Sequence, residues 1–316
     1  MKDNIIPIFF SIDDNYAPFL KIALCSITEH ANKENNYKIY VLFSRLNDAN
    51  KLDITKFLSN HSNFSVEFVD MNEHVSEISD ALFTRDYYSK TTYYRLFIPR
   101  LFPQYNKALY IDSDIIVLDD IANLYNIDLG TNLIGATPDE SVQIIPEFIT
   151  YVEKYLGIKH EHYFNAGIIL MNLDELRKFE FEKKFVSLLK QIKFSVAQDQ
   201  DYLNAICKDR VTYVPSVWDK MPFPNPNIKV EDLKLIHYNL TFKPWHYDGI
   251  LYEDIFFKYA DKVGLRDTIN KIKENFSEED KKADQLGGQR LIKMAGELAE
   301  IQDTYANLLK QGKIKF

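Results

Sequence analysis

Two aspartates separated by a single residue, Asp112 and Asp114, stand between two short apolar runs. The runs, residues 108–111 and 115–118, are rich in β-branched and aromatic side chains, which predicts two buried strands. Carboxylates at the end of a buried strand are strongly destabilising unless a positive charge lies between them. Because such hard oxygen ligands suit Mg²⁺ or Mn²⁺, the pattern indicates a divalent-cation site. A turn with two solvated aspartates is the alternative.

Composition narrows the function classes. The formal net charge of −8 argues against a general nucleic-acid-binding protein, since neutralising phosphates needs a basic face. The two cysteines, Cys25 and Cys207, stand among apolar residues, as expected for core thiols in a reducing compartment. No run reaches the roughly 18 apolar residues that span a bilayer. We therefore expect a cytoplasmic protein.

The elements that must position the aspartates alternate between strands and helices. Periodicity predicts strands at 5–12, 37–43 and 65–69, and helices at 17–30 and 49–58. This β-α-β-α-β order predicts a mostly parallel sheet with helices on its faces. Ligands of such sheets bind beyond the carboxyl ends of the strands. Asp13 follows the first strand, so we expect it at the same edge as Asp112 and Asp114.

The middle of the chain continues the alternation of predicted strands and helices, with more polar residues between them. Residues 91–98 predict a helix that ends at Pro99, and its Arg95 either pairs with an anion or reaches the surface. The remaining predicted elements are strands at 132–136, 168–172, 211–214 and 233–237, helices at 174–193 and 202–207, and a proline-rich loop at 215–229. The Asn165-Ala166-Gly167 segment lies at the mouth of a strand.

The last fifty residues differ in composition and predict helices. Residues 266–284 favour a helix, and Gly287-Gly288 is expected to interrupt the chain. Apolar residues then follow at alternating spacings of three and four, from Leu291 to Leu308, which resembles a short heptad seam. We expect a homo-oligomer through residues 289–311, with packing back on the domain as the alternative. A peripheral contact with the cytoplasmic face of a membrane is a weaker option.

Six short motifs occur in the order seen in glycosyltransferase family 8, and together they cover about residues 4–260. They are Phe10-Ser11-Ile12-Asp13-Asp14-Asn15-Tyr16, Thr92-Tyr93-Tyr94-Arg95-Leu96, Leu109-Tyr110-Ile111-Asp112-Ser113-Asp114, Tyr163-Phe164-Asn165-Ala166-Gly167, Gln198-Asp199-Gln200-Asp201, and His237-Tyr238 through Lys243-Pro244-Trp245. The chain therefore resembles that family, which includes bacterial lipopolysaccharide glucosyl- and galactosyltransferases and is related to glycogenin. The resemblance implies an α/β fold of the GT-A type, a Rossmann-like mixed sheet flanked by helices. We place this domain at residues 1–265 and a helical C-terminal tail at 266–316.

The resemblance also implies roles for particular residues in a retaining, metal-dependent transfer of glucose or galactose from a UDP-sugar to a glycan, glycolipid or glycoprotein. Asp112, Asp114 and His237 match the ligands of Mn²⁺, with Mg²⁺ as the alternative ion. Positions that match nucleotide contacts are Ser11, Asp13, Asn15, Ser113, Leu240 and Lys243, with Asp13 expected to accept from the uracil N3–H. Positions that match donor-sugar contacts are Arg95, Asn165, Ala166, Asp199 and Gln200, and the last two are the expected catalytic pair. Asp139 and Asn239 are candidates for acceptor contacts.

One position departs from the family pattern. The third motif often carries a glycine where this chain has Leu240, so the loop must tolerate a side chain near the diphosphate.

Gln200 stands at the family position nearest the far face of the sugar, and an amide is a poor nucleophile. We therefore favour front-face attack by the acceptor. The competing classes are a glycoside hydrolase, whose carboxylates stand apart around the sugar, and a non-catalytic sugar-nucleotide-binding protein.

Overall fold

The computed structural model describes residues 5–76, 82 and 90–316. The chain divides into two compact units, and each unit is assembled from separated stretches of sequence. The first unit comprises Met1–Asn72, Ala108–Asp128 and Pro215–Lys281, and the second comprises Glu73–Lys107, Leu129–Val214 and Lys282–Phe316. The predicted boundary near residue 265 between a catalytic domain and a tail stays a prediction.

The strands and helices of the described residues follow one another along most of the chain. The strands are β1 (Ile5–Ser11), β2 (Asn36–Phe43), β3 (Phe64–Asp70), β4 (Lys107–Ile111), β5 (Ile115–Val117), β6 (Ile134–Ala136), β7 (Ile168–Asn172), β8 (Val211–Tyr213) and β9 (Leu235–His237). The helices are α1 (Ala17–His30), α2 (Asp48–Leu58), α3 (Asn72–Val75), α4 (Ile98–Leu101), α5 (Ile121–Tyr125), α6 (Glu140–Ile144), α7 (Pro146–Thr150), α8 (Leu173–Lys178), α9 (Phe181–Gln191), α10 (Gln198–Cys207), α11 (Glu253–Lys262), α12 (Arg266–Asn275), α13 (Glu278–Ala299) and α14 (Tyr305–Lys310).

The first unit contains a parallel sheet in the order β3-β2-β1-β4. Phe9 of β1 lies opposite Tyr40 of β2 on one side and Tyr110 of β4 on the other. The central strand β1 is buried almost along its whole length, as expected for a parallel strand covered on both faces. The predicted β-α-β-α-β order of the N-terminal part is therefore confirmed.

A second, two-stranded sheet in the same unit begins directly after the Asp-Ser-Asp segment. β5 pairs antiparallel with β9, and Ile115 lies opposite His237. Buried apolar residues from α1, β5, β9, α11, α12 and the segments on either side of β9 form one cluster around this pair of strands: Phe19, Ile22, Cys25, Ile116, Leu233, Ile236, Tyr238, Trp245, Phe256, Tyr259, Ala260 and Ile269. The apolar run after Asp114 is thus fixed by core packing.

The second unit is also mixed α/β. Its strands lie in the order β7-β6-β8, with β6 antiparallel to β7 and parallel to β8. The predicted helix at 174–193 is divided into α8 and α9, because Glu180 adopts a left-handed backbone conformation (φ 55°) between them. Both units combine strands with flanking helices, so the predicted α/β class is confirmed.

The predicted helix at 91–98 is a 3₁₀-helix at Lys90–Phe97, which is followed directly by α4. The prediction that a helix ends at Pro99 is wrong. Pro99 lies in the first turn of α4. A proline is tolerated there because the N–H of that position has no partner within the helix. The connection at 71–90 contains α3, while residues 77–81 and 83–89 lie outside the described residues.

The tail corrects two predictions. Gly287 and Gly288 lie inside α13 and do not interrupt it, because the good helix formers on both sides outweigh the helix penalty of two glycines. The heptad-like pattern is not one helix, since α13 ends at Ala299 and α14 starts at Tyr305. Oligomerisation through residues 289–311 stays a prediction.

Candidate active site

Asp112 and Asp114 lie on the link between the two sheets of the first unit. β4 ends at Ile111 and β5 begins at Ile115, so the backbone of the Asp-Ser-Asp segment is anchored on both sides. Asp112 is half-buried, whereas Ser113 and Asp114 are buried. The hydroxyl of Tyr110 donates to Asp112 Oδ1 at 2.9 Å, which orients that carboxylate.

His237 is brought to these aspartates by the β5–β9 pairing. The Tyr238 N–H donates to the Asp114 carbonyl at 2.8 Å, immediately after the His237–Ile115 register position. His237 Nε2 lies 3.4 Å from Asp114 Oδ1 and 3.9 Å from Asp112 Oδ2. The structure therefore brings together the three residues that the sequence resemblance implied, although His237 lies more than 120 residues after Asp114 in the chain.

Two further groups, Asp219 and Lys243, complete the charge distribution of the cluster. His237 Nδ1 is 2.8 Å from Asp219 Oδ1, and the Lys243 ammonium forms an ion pair with Asp114 Oδ2. Burial alone would raise the pKa of the Asp114 carboxyl, but Lys243 and His237 lower it below its ordinary value. Burial would likewise lower the pKa of the His237 imidazole, yet Asp219 and Asp114 raise it to about 10.

The donor set fits a divalent cation. Candidate ligand atoms of Asp112, Asp114 and His237 all lie within 4.8 Å of one another. Among the described residues, buried Asp114 Oδ1 and His237 Nε2 have no hydrogen-bond partner, a costly state that a shared cation would relieve. Two carboxylates and one imidazole form a ligand set suited to Mn²⁺ or Mg²⁺.

The expected nucleotide segment follows β1 directly. Asp13 Oδ1 accepts from the N–H groups of Asn15 at 2.9 Å and Tyr16 at 3.2 Å, so the carboxylate holds its own turn. Asn15 is exposed and Asp13 is half-buried. In the part of the chain that the structure describes, the buried Ser11 Oγ has no hydrogen-bond partner. Ser11 and Asp13 therefore both keep acceptor capacity that a ligand can use.

Leu240 lies in the turn after β9 with a backbone φ of 52°. This left-handed conformation favours glycine, and a residue with a side chain adopts it at a cost of about 1–2 kcal/mol. The turn geometry thus resembles the one that the family glycine would permit, although the residue here is leucine. The turn is also held by the Phe242 N–H, which donates to the Asn239 carbonyl at 3.1 Å.

In the second unit, Arg95 and Asp199 form a buried ion pair. Arg95 is 3% exposed, and its Nε lies 3.1 Å from Asp199 Oδ2. The same guanidinium donates to the carbonyls of Thr92 and Ala166. Of the two alternatives open from sequence, Arg95 therefore pairs with an anion and does not reach the surface. Because Asp199 lies in the first turn of α10, this pair joins the 3₁₀-helix at Lys90–Phe97 to α10.

The Gln200 side chain is held at both ends of its amide. Its Oε1 accepts from the Ala166 N–H, and its Nε2 donates to Asp139 Oδ2, both at 2.9 Å. Asn165 Nδ2 donates to the same Asp139 oxygen at 3.0 Å. The other Asp139 oxygen accepts from the Ser141 N–H at 2.9 Å and so caps α6. Asp139, proposed from sequence for acceptor binding, thus has a structural part in orienting Gln200.

Sequence reasoning missed Asp219 and the full role of Asp201. Asp201 is completely buried and accepts from the hydroxyls of Tyr163 at 2.7 Å and Tyr151 at 2.9 Å. It also accepts from the Ala197 N–H at 2.9 Å, so it fixes the start of α10. An acidic residue at a helix start is ordinary in sequence, whereas its tyrosine partners are 38 and 50 residues away.

Comparisons with known proteins assign the chain to a family. A profile described as glycosyl transferase family 8 matches residues 7–249. The chain belongs to glycosyl transferase family 8. It is 32% identical over 247 residues to a Haemophilus influenzae protein named as an inferred glycosyltransferase, covering 76% of this chain and 72% of that protein.

Two solved structures show the family's fold. The apo structure of the bifunctional glycosyltransferase WbbM matches with a TM-score of 0.73 and 30% identity, over 86% of this chain and 52% of WbbM, so the chain spans about half of that protein's length. The galactosyltransferase LgtC, solved with donor and acceptor sugar analogues, matches with a TM-score of 0.66 and 28% identity, over 81% of this chain and 96% of LgtC. These matches confirm the predicted GT-A type of fold.

Within the described ranges, none of the helices is both long enough and apolar enough to cross a bilayer.

Proposed function

We propose that this protein is a retaining hexosyltransferase that takes glucose or galactose from a UDP-sugar and passes it to a glycan, glycolipid or glycoprotein acceptor. The observation that carries the proposal is the cluster of Asp112, Asp114 and His237, whose ligand atoms converge in the first unit of a family 8 protein. Mn²⁺ is the proposed ion, with Mg²⁺ as the alternative. When bound, the ion supplies positive charge that stabilises the departing nucleoside diphosphate.

The residues around the cluster have distinct proposed tasks in binding the nucleotide. Lys243 lies against Asp114 and 5.4 Å from the centre of the Trp245 ring, and we propose that its ammonium also pairs with a diphosphate oxygen. Ser113 and the turn at Leu240 contribute backbone contacts. Asp13 is held by its own turn through Oδ1, which leaves Oδ2 to accept from the uracil N3–H.

The proposed contacts to the donor sugar are at the positions that the family resemblance implied. Arg95 holds Asp199, and we propose that this carboxylate orients the hexose by accepting from its hydroxyls. Asn165 and Ala166 belong to the same hydrogen-bonded network through Asp139 and Gln200. Both ends of the Gln200 amide are engaged, so its task is electrostatic support of an oxocarbenium-like state during front-face attack. Trapping of a glycosyl adduct on Asp199 would overturn this mechanism.

The first test of the proposal measures UDP release. Purified protein is incubated with UDP-glucose or UDP-galactose, with Mn²⁺ or with chelator, and a panel of acceptors. We expect release that needs the ion and that falls by about 10²–10³-fold in Asp114→Asn, a typical loss for one group that stabilises developing charge. Asp53→Asn is the control, because Asp53 is an exposed partner of Lys21 and should leave release unchanged.

Full activity in Asp114→Asn, or equal release with chelator, would contradict the metal assignment. If the protein binds the UDP-sugar but releases no UDP with any acceptor of the panel, a sugar-nucleotide-binding protein without catalytic activity would be favoured.

A further inference from the structure

The proline-rich segment 215–229, predicted from sequence as a loop, contains two buried charged residues. Asp219 is 2% exposed and Lys220 is 0% exposed. The Lys220 N–H donates to the Leu235 carbonyl at 3.0 Å, and the Lys220 carbonyl accepts from the His237 N–H at 2.9 Å. This part of the segment therefore runs parallel to β9 and is fixed beside it.

The Lys220 side chain anchors the following residues of the segment. Its ammonium donates to the carbonyls of Met221 at 2.6 Å and Phe223 at 2.7 Å. Backbone pairing on one side and this side-chain anchor on the other leave Asp219 little freedom to move. A carboxylate held this firmly can impose an orientation on its partner.

That partner is the His237 imidazole. Its Nδ1 lies 2.8 Å from Asp219 Oδ1, while Nε2 is directed at Asp114 Oδ1, 3.4 Å away. A carboxylate accepts from an N–H, so Asp219 keeps a proton on Nδ1, and the form of the imidazole that can bind a cation is the one without a proton on Nε2. The lone pair of Nε2 then points toward the two aspartates that complete the ligand set. The opposite tautomer would direct a proton at the same place.

We infer that Asp219 is a positioning residue that selects the His237 tautomer competent to bind a divalent cation. The inference rests on the metal assignment of the proposed function. It gives a part in metal binding to a residue of the segment that the sequence predicts as a proline-rich loop.

The test measures Mn²⁺ affinity directly, without donor or acceptor, by isothermal titration and by the electron paramagnetic resonance signal of free Mn²⁺. Asp219→Asn keeps the shape of the side chain but removes the charge, and it should weaken Mn²⁺ binding by about 10–100-fold, the usual effect of losing such a partner. Asp219→Ser, which adds no volume, carries the same expectation. Asp53→Asn should bind Mn²⁺ as wild type does.

A double-variant comparison separates positioning from a general effect on the fold. In a His237→Ala background, Asp219→Asn should change Mn²⁺ affinity no further, because its effect passes through the imidazole. A further loss of affinity in that background would assign Asp219 a structural role and overturn the inference. Thermal unfolding in chelator establishes that each variant is folded when it is titrated.

The outcomes also distinguish the two proposals. If wild-type protein does not bind Mn²⁺ or Mg²⁺, both the metal assignment and the role of Asp219 are overturned. If wild type binds, Asp114→Asn does not, and Asp219→Asn binds as tightly as wild type, only the role of Asp219 is overturned.

Discussion

The Gln200 amide shows how the neighbours of a single residue favour one type of side chain. Its donor end faces the Asp139 carboxylate and its acceptor end faces the Ala166 N–H, both at 2.9 Å. An amide satisfies both neighbours, whereas a carboxylate would meet a second carboxylate at Asp139. Two carboxylates at this distance cannot both be ionised. The surroundings therefore favour the uncharged glutamine, which agrees with a supporting role and not a nucleophilic one.

This argument predicts the effect of Gln200→Glu on stability. Repulsion from Asp139 should raise the pKa of the introduced carboxyl in the folded state above its unfolded value. The variant should then match wild type at low pH, where the carboxyl is protonated in both states, and lose stability as pH rises. We expect a deficit of about 1–3 kcal/mol at neutral pH, comparable to leaving a buried polar group without its partner.

Urea unfolding at about pH 5 and about pH 8 measures that deficit. Gln302→Glu is the matched control, since Gln302 is exposed in the same unit and should show no pH-dependent loss. A deficit in Gln200→Glu that is independent of pH would contradict the proposed repulsion.

At the scale of elements, two glycines show that the local backbone and its neighbours determine what a glycine contributes. Gly288 lies within α13, and an added Cβ would meet no heavy atom within 4 Å apart from its chain neighbours and the backbone of its own helix. Gly157 ends the π-helical turn Tyr151–Leu156 with φ 69°, and an added Cβ would lie 2.9 Å from the Cβ of Ala306 in α14. Gly157 therefore permits both the turn and the close approach of α14.

These surroundings predict opposite effects of replacing the two glycines by alanine. Gly288→Ala should stabilise the protein by about 0.5–1 kcal/mol, because alanine loses less conformational entropy in a helix. Gly157→Ala should destabilise it by about 1 kcal/mol or more, because its backbone is left-handed and its space is filled. Chemical denaturation of both variants beside wild type measures the two signs. Equal effects would contradict the described course of α13 and α14.

At the scale of the whole molecule, the proposed metal ligands all belong to the first unit, whereas the Arg95–Asp199 pair and Gln200 belong to the second. The proposed metal-binding residues of the first unit come from two separate stretches of sequence, and folding is needed to bring them together. Ligand binding to the native state alone stabilises that state by mass action. Metal addition should therefore report on the integrity of the first unit.

We predict that Mn²⁺ raises the unfolding temperature in a concentration-dependent manner. At a free concentration one hundred times the Kd, the gain is about 2.7 kcal/mol. Calorimetry with increasing Mn²⁺, followed by chelator to reverse the shift, measures this gain. Asp114→Asn should show almost no shift. An equal shift in that variant would mean that the ion binds elsewhere.

Much of the fold and part of the site followed from sequence because the responsible signals are local. Apolar periodicity indicated the alternation that became β1, α1, β2, α2 and β3. The Asp-x-Asp between two apolar runs indicates a cation site without any reference to a family. The resemblance then supplied His237, Lys243 and the donor-sugar positions. Their roles in catalysis stay proposals.

The tertiary structure decided what depends on residues far apart in the chain. Only folding shows that Asp219 contacts His237, that Asp139 orients Gln200, and that Asp201 is held by two distant tyrosines. It also shows that Gly287 and Gly288 continue a helix and that the apolar tail pattern is divided between α13 and α14. Local patterns record which backbone conformations are favourable. Pairing between buried polar groups is determined by packing, because the free energy of each buried group depends on the partner that the fold places beside it.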